Sequence, residues 1–261
     1  MGPMIQVRDL ILRHKKLTIL DGIGFNALPE EVTTIFGPNA SGKTSLIKCI
    51  NGTWNFDEGT ITLDGQRIFR LKRRGMAKLL ATVPQEHHPP FPYTTLEVVL
   101  MGRLPHVGLF SWPSQRDKGV AVKALEAVGI GHLAERPYTQ ISGGERQLTL
   151  IARSLAQEPK ILLLDEPTAH LDFKNQISVL RVVRDLAKKE GLTVLLTLHD
   201  PNLSLIFSDK VALLNKGKMV AFGKPSSVIT RENLKNVYDL DVDFLSQDGL
   251  RFIYPKIPGV E

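Results

Sequence analysis

The stretch GPNASGKT, residues 37–44, matches the phosphate-binding loop pattern G-x-x-x-x-G-K-[ST] at each fixed position. Residues 31–36 before it form a β-branched run that predicts a buried strand, and residues 44–51 after it predict a helix. Gly37 and Gly42 allow the tight turn that directs backbone N–H groups and the positive end of a helix at phosphate oxygens. The motif therefore predicts a phosphate site between a strand and a helix.

Acidic residues close a second buried strand. Residues 161–164 are continuously apolar and end at Asp165 and Glu166, the form of a central parallel strand whose carboxyl end faces a ligand. We expect Asp165 to orient Mg²⁺, mainly through water, together with the Thr44 hydroxyl, and Glu166 to polarise an attacking water. Lys43 is expected to contact the β- and γ-phosphates. An exposed acidic turn after a strand is the alternative for the two acids.

Two further segments fit the same chemistry. The run Ser142-Gly143-Gly144-Glu145 opens a helix, where backbone N–H groups can face an anion, although a flexible turn also explains it in isolation. The strand at 193–198 ends at His199, which we place at the same carboxyl edge as Lys43 and Asp165. A histidine there can bind a γ-phosphate and respond to its presence.

Composition limits the class of protein. The 261 residues are 43% hydrophobic, enough for a full core, and one α/β body with an insertion fits as well as two domains. The charge of +6 is spread along the chain apart from 72–74, a cluster we interpret as solvated surface before a phosphate or membrane contact. No run approaches the ~18–20 apolar residues of a spanning helix, and no signal peptide is evident, so we expect a cytosolic chain. Cys49 is expected to pack in the interior.

The remaining chain predicts a mixed architecture. Alternation over 4–28 predicts antiparallel strands with a turn at 21–22, and 75–83 predicts another strand. The proline-rich stretch 86–94 predicts an irregular linker, in which His87 and His88 form an exposed loop rather than a metal site. Helices over 95–101 and 116–128 then predict an inserted helical domain, whereas a hairpin within 244–254 is expected to pack on the core or help dimerisation.

Taken together, these motifs resemble the nucleotide-binding subunit of an ATP-binding cassette (ABC) transporter, from about residue 4 to 238. The resemblance implies an α/β P-loop NTPase cassette fold, with a mixed sheet core, an antiparallel β subdomain and an inserted helical subdomain. It divides the chain into an N-terminal part of the ATPase core (1–85), a helical signature subdomain (86–158), and the rest of the core with a C-terminal extension (159–261).

The resemblance also implies a role for each motif residue. The family's Walker A loop corresponds to residues 37–44, its signature motif to 142–145 and its Walker B pair to Asp165 and Glu166. ATP would be bound by the Walker A loop, the following serine, an adenine-stacking position, the signature motif and the loop after the Walker B pair: Gly37, Pro38, Asn39, Ala40, Ser41, Gly42, Lys43, Thr44, Ser45, His14, Ser142, Gly143, Gly144, Glu145 and Asp172. Mg²⁺ would be held by Thr44, Gln85 and Asp165. Catalysis would rest on Glu166, the switch histidine His199, and Gln85, which links the Mg²⁺ site to the helical subdomain.

Three positions depart from the family pattern. Ala40 replaces a common glycine, which is tolerated if its φ is negative. Ile141 and Glu145 replace leucine and glutamine in the signature, while its serine and both glycines are kept. His14 stands where an aromatic residue usually stacks on adenine, and imidazole stacking there is expected to be weaker.

A narrower resemblance concerns transported cargo. Residues 101–106, 135–138, 171–173 and 197–202 are similar to the cassette ATPases of importers for iron–siderophore, haem, cobalamin or molybdate-type cargo. This branch implies a head-to-tail homodimer, transmembrane permease subunits and, indirectly, a substrate-binding protein. The chain would then lie at the inner face of the cell membrane, with no nucleic acid as partner.

Two other classes share the phosphate loop. Mechanical ATPases that act on DNA usually insert a long coiled coil between Walker A and signature, but only about 100 positions separate Gly42 from Ser142, without sustained heptads. A phosphotransferase would leave the signature and His199 unexplained. The transporter reading accounts for all the motifs.

Overall fold

The computed structural model describes residues 2–84, 93–108 and 111–256. The strands are β1 Ile5–His14, β2 Leu17–Ala27, β3 Val32–Phe36, β4 Glu58–Leu63, β5 Gln66–Arg67, β6 Leu80–Val83, β7 Ile161–Leu164, β8 Thr193–Leu198, β9 Lys210–Asn215, β10 Lys218–Gly223, β11 Val242–Gln247 and β12 Leu250–Pro255. The helices are α1 Lys43–Ile50, α2 Arg73–Leu79, α3 Thr95–Leu100, α4 Gln115–Ala127, α5 Gly143–Leu155, α6 Phe173–Lys189, α7 Pro201–Phe207, α8 Pro225–Val228 and α9 Arg231–Tyr238. Residue contacts group the chain into two compact units, 1–69 with 194–261, and 70–193.

The first unit contains two kinds of sheet. Strands β2, β1, β4 and β5 lie in that order in an antiparallel sheet. Strands β10, β9, β3 and β8 are also neighbours in that order, with β3 parallel to both β8 and β9, and β10 antiparallel to β9. Phe36 aligns with Leu198 on one side and Leu213 on the other. The fully buried β3 is therefore central, and the phosphate loop follows it directly.

The predicted turn at 21–22 is wrong. The chain turns at Lys15 and Lys16, and β2 continues through Asp21 and Gly22. Gly22 has φ +67, and the β1–β2 register shifts on both sides of Leu10. The strand therefore passes through Gly22 with a bulge-like irregularity and does not end there. Antiparallel pairing over 4–28 is confirmed.

The second unit contains the parallel pair β6–β7 and the helices from α2 to α6. The single strand predicted over 75–83 is wrong in its first half, because residues 73–79 form α2 and only 80–83 are a strand. Arginine, methionine, alanine and lysine in this segment favour a helix. The three-part division at residues 85/86 and 158/159 stays a prediction.

A buried arginine connects the helices of this unit. Arg103 pairs with Asp117 on α4 at 3.0 Å and with Glu158 at 2.6 Å, and it donates to the Ala156 carbonyl oxygen at 2.6 Å. Hydrogen bonds from Ser114 and Arg103 lower the pKa of Asp117 to about 2, so this carboxylate stays ionised at neutral pH. Through these three contacts, Arg103 links the start of α4 to the residues that follow α5.

The C-terminal hairpin β11–β12 packs on the core of the first unit. Val242 is buried, and Phe244 and Ile253 lie against a cluster that includes Phe36 and Val211. The interior of this unit also holds Cys49, whose burial raises the pKa of its thiol to about 11. Within the described residues, every helix is too short or too polar to cross a membrane.

Candidate functional site

The phosphate loop curves around the ammonium group of Lys43. Its Nζ donates to the carbonyl oxygens of Gly37 and Pro38, both at 2.9 Å, and the side chain is buried. Gly42 precedes α1 with φ 104, a conformation that suits glycine. The loop thus holds a positive charge at the helix N-terminus, where an anion is stabilised.

A buried hydroxyl tests whether this loop fits a phosphate group. Ser41 Oγ is buried and has no hydrogen-bond partner among the described residues. An unpartnered buried polar group costs about 1–3 kcal/mol. A phosphate oxygen would accept from it, so the loop residues fit a nucleotide phosphate.

The expectation for Ala40 is wrong. Its φ is +60, not negative, so this alanine adopts the left-handed conformation that the usual glycine would provide. The residue is exposed, and its Cβ costs about 1–2 kcal/mol of local strain there. The loop keeps its turn at this position despite the side chain.

The β9–β10 turn packs against the phosphate loop. Gly217 N donates to the Ser41 carbonyl oxygen at 3.1 Å, while the Gly217 carbonyl accepts from Asp21 N at 2.8 Å. A Cβ on Gly37 would overlap the Leu214 carbonyl oxygen, and one on Gly217 would overlap the Ile19 carbonyl oxygen. Close backbone packing therefore fixes the loop's position.

The predicted switch histidine leaves β8 beside the loop. Because Phe36 and Leu198 are aligned in parallel strands, Gly37 and His199 are the first residues beyond the same edge. Asp200 then caps α7, accepting hydrogen bonds from the backbone N–H groups of Asn202 and Leu203. The first unit thus brings Lys43 and His199 to adjacent strand ends.

A cavity of about 630 Å³ adjoins His14 in the same unit. Leu12, Ile19 and Trp54 contribute to its lining, and the Lys48 ammonium lies 4.6 Å from the Trp54 ring centroid. The aromatic wall supplied by Trp54 was not predicted, because its sequence position gives no sign that it approaches β1. The cavity has space and an aromatic surface for a nucleobase.

The acidic pair follows β7 in the second unit. All four residues of β7 are buried, Asp165 N donates to the Val83 carbonyl oxygen at 3.1 Å, and the Asp165 side chain is largely buried. Glu166 has φ +50, and its carbonyl accepts from Ala169 N at 3.0 Å. A strained left-handed glutamate at a strand end is typical of functional positions.

The signature motif begins α5 with a reciprocal cap. Ser142 N donates to Glu145 Oε2 at 2.7 Å, and Glu145 N donates to Ser142 Oγ at 3.3 Å. These bonds lower the pKa of Glu145. Glutamate thus makes the capping box that glutamine also permits at this position.

Asn175 joins the signature helix to the loop after Walker B. Its backbone N donates to Asp172 Oδ1 at 2.8 Å and its Nδ2 to Asp172 Oδ2 at 3.1 Å. A Cβ on Gly144 would come within 2.5 Å of Asn175 Oδ1. Sequence reasoning missed Asn175, although an amide three residues after a capping aspartate was the available signal.

The predicted site residues are divided between the units. The first contains His14, 37–45 and His199; the second contains 142–145, Asp165, Glu166 and Asp172. Gln85, His87 and His88 lie outside the described residues.

A buried strand, a glycine-bounded loop holding Lys43, and a helix define the class of P-loop nucleoside triphosphatases. Residues 20–169 match the family model described as ABC transporter, and the chain belongs to this family. It is an ATP-binding subunit, and the family hydrolyses ATP.

Two curated relatives and one solved structure are similar over most of their lengths. A hemin import ATP-binding protein of Gloeobacter violaceus is 40% identical, over 91% of this chain and 88% of the relative. An iron chelatin transport ATP-binding protein of Helicobacter pylori is 35% identical, over 96% and 99%. A structure assigned to a metal-chelate type ABC transporter, in an inward-facing conformation, superimposes with a TM-score of 0.87 at 32% identity, over 98% of this chain and 99% of that one. The fold class inferred from sequence is confirmed.

Two glycines with nearly the same φ allow a test of how the β9–β10 turn supports the phosphate loop. Gly217 has φ +78 and Gly249 has φ +77, but only Gly217 lies against another backbone; Gly249 has open space around its Cα in the described chain. We expect Gly217→Ala to cost about 1–3 kcal/mol of unfolding free energy more than Gly249→Ala, because its Cβ overlaps Ile19. Urea unfolding of both variants measures this difference.

The same pair separates loop support from general stability. ATP affinity is expected to fall in Gly217→Ala, because the bond to Ser41 is displaced, and to stay unchanged in Gly249→Ala. Equal losses of stability and equal ATP affinity in the two variants would show that the close approach does not support the loop.

Proposed function

We propose that this chain is the ATPase of an importer and works as a head-to-tail homodimer with two composite sites. The observation that carries the dimer is the exposed start of α5, where Ser142 and Gly143 lie at the surface at a capped helix N-terminus. Such an end suits a phosphate oxygen. In each composite site, ATP is bound by one copy's Lys43 loop and the other copy's signature.

The residues divide the work on the nucleotide. Lys43, Ser41 and the loop N–H groups bind the β- and γ-phosphates, and the cavity beside His14 takes the base. Thr44, Asp165 and Gln85 are the residues that would hold Mg²⁺, which would neutralise charge on the phosphate oxygens. Hydroxyl, carboxylate and amide oxygens are donors that suit this hard cation.

Glu166 and His199 act on the reaction itself. Glu166 accepts the proton of the attacking water as the water oxygen bonds to the γ-phosphorus and the bond from that phosphorus to the β–γ bridging oxygen breaks, which releases ADP and phosphate. His199 donates a hydrogen bond to the γ-phosphate and so distinguishes ATP from ADP. Binding of ATP closes the pair of cassettes, and hydrolysis reopens it.

Replacing Glu166 by glutamine tests the base. We expect Glu166→Gln to lower kcat at least ~10²-fold, the contribution typical of a positioned base, with ATP affinity retained because the loop is unchanged. Steady-state phosphate release and nucleotide titration measure both quantities.

Glu190→Gln is the matched control, since this glutamate is exposed at the end of α6 and is expected to leave kcat unchanged. Near-normal turnover in Glu166→Gln would remove this residue from the role of base.

Mixing two inactive variants tests the composite site. Lys43→Met removes the loop ammonium, and Gly144→Asp introduces a side chain into the space of Asn175 at the signature. Each homodimer lacks both sites, but a mixed dimer pairs one intact loop with one intact signature. Because random pairing makes half the dimers mixed, activity is expected to recover to roughly a quarter of wild type.

The control for this mixture is each variant mixed with itself at the same total concentration. Failure of the two variants to complement, with dimers present, would contradict head-to-tail sharing.

We further propose that the cargo is a metal chelate, either an iron chelate or haem. The proposal is supported by the two curated relatives and the metal-chelate type structure. The chain then acts at the cytoplasmic face of the cell membrane, bound to permease subunits that work with a substrate-binding protein. Cobalamin and molybdate-type oxyanions are the other cargoes of the branch indicated by the sequence.

Isolation of the chain from membranes tests the assembly. We expect co-purification with a multispanning permease, and loss of ferric-chelate or haem uptake when Glu166→Gln replaces the wild-type chain. Uptake of molybdate, measured in parallel, is expected to stay unchanged. Recovery of the chain only in soluble, DNA-bound complexes would contradict transport and support the mechanical ATPase.

A further inference from the structure

Helix α7 begins two residues after His199, and Asp200 between them caps its N-terminus. Asp200 Oδ1 accepts from Asn202 N at 2.7 Å and from Leu203 N at 3.1 Å, and Ser204 Oγ donates to the Asp200 carbonyl oxygen at 2.9 Å. Because the cap leaves no flexible linker, a shift of the first turn of α7 also shifts the backbone at His199.

The side chain of Asn202 binds the C-terminal hairpin at two points. Its Nδ2 donates to the Ile253 carbonyl oxygen at 3.1 Å, and its Oδ1 accepts from Ile253 N at 2.7 Å. The amide thus satisfies both backbone groups of one residue of β12, as a neighbouring strand would. This pairing fixes the direction of the side chain as well as its distance.

The hairpin is itself held firmly. Phe244, opposite Ile253 in the hairpin, packs on the core cluster, and the Arg251 guanidinium lies 3.6 Å from its ring centroid. Asp243 on β11 pairs with Arg231 of α9 and with Lys256 at 3.2 Å. Arg231 is the main cause of the lowered pKa of Asp243, so these ion pairs persist at neutral pH. The hairpin therefore gives Asn202 a fixed partner.

The same C-terminal segment also reaches the strand before the phosphate loop. The ring centroid of Tyr238, on α9, lies 5.7 Å from that of Phe36, the last residue of β3. The residues from α9 to β12 therefore contact the elements that lead into the loop and out of His199. None of the residues in these contacts is among those assigned to ATP binding.

We infer that Asn202 is a positioning residue for His199, through which the C-terminal hairpin holds the histidine for its response to the γ-phosphate. The inference rests on the proposed role of His199. It assigns a function to the C-terminal hairpin beyond covering the core: loss of the two amide bonds lets the first turn of α7 shift, so His199 meets the γ-phosphate less often.

The test compares two asparagines of the first unit. Asn202→Ala is expected to lower kcat about tenfold, a fold-change equal to about 1.4 kcal/mol and of the size of one or two hydrogen bonds. ADP affinity is expected to stay within about twofold, because the phosphate loop is unchanged. The preference for ATP over ADP is expected to shrink, because His199 contacts only the γ-phosphate.

Asn233→Ala is the matched control. Asn233 Nδ2 donates to the Val228 carbonyl oxygen at 2.7 Å, so this variant also loses an amide-to-backbone bond in the C-terminal region, but one that joins α9 to α8 and not α7 to the hairpin. Its kcat and nucleotide preference are expected to match wild type. An Asn233→Ala variant that lowers kcat as Asn202→Ala does would reduce the effect to general stability and overturn the inference.

Asn202→Asp provides a second variant of nearly the same shape. It keeps the acceptor for Ile253 N and loses the Nδ2 donor, so its kcat and its ATP-over-ADP preference are expected to lie between wild type and Asn202→Ala. This variant gives the result if the alanine variant does not fold. Wild-type values for both quantities in Asn202→Asp and Asn202→Ala would overturn the inference.

A double-mutant cycle with His199→Ala shows whether Asn202 acts through the histidine. In the His199→Ala background, Asn202→Ala is expected to change neither kcat nor the ATP-over-ADP preference further. Additive losses would overturn the inference and leave the role of His199 intact. Wild-type kcat and preference in His199→Ala alone would instead contradict the proposed function of His199, and the inference with it.

Discussion

The site depends on backbone packed against backbone beneath the phosphate loop. The Leu214 carbonyl occupies the space that a Cβ on Gly37 would need, and Gly217 donates from the next turn to Ser41. A rigid support of this kind holds the loop open around the Lys43 ammonium before any nucleotide binds, so less conformational entropy is lost on binding. The hairpin β9–β10, which carries none of the motif residues, therefore contributes to the position of the loop.

Sequence reasoning succeeded where local chemistry determines structure. The strand, loop and helix at 32–50 were predicted because turn, cap and hydrophobic pattern all lie within one segment. The hairpin predicted within 244–254 followed from its turn residues, Asp248 and Gly249, in the same way. The placement of His199 beside the loop required only the parallel pairing of two buried strands.

The failures share a dependence on distant parts of the chain. Gly22 continues a strand because β1 opposite it tolerates an irregularity, and Ala40 adopts a left-handed backbone because the loop around it is fixed from outside. Asn175 can approach the signature because Gly144 has no side chain to exclude it. These contacts join residues that sequence spacing cannot relate. Glu145 makes a different point: a departure from a family motif can be neutral when both residue types make the same cap.

The single thiol of the chain has a practical consequence. Cys49 lies buried on α1, and with its pKa near 11 almost none of it is thiolate at neutral pH. Alkylating reagents and mild oxidants are therefore expected to leave Cys49 unmodified. A cysteine introduced at an exposed position becomes the sole reactive thiol of the protein, so a probe can be attached to it without removing Cys49.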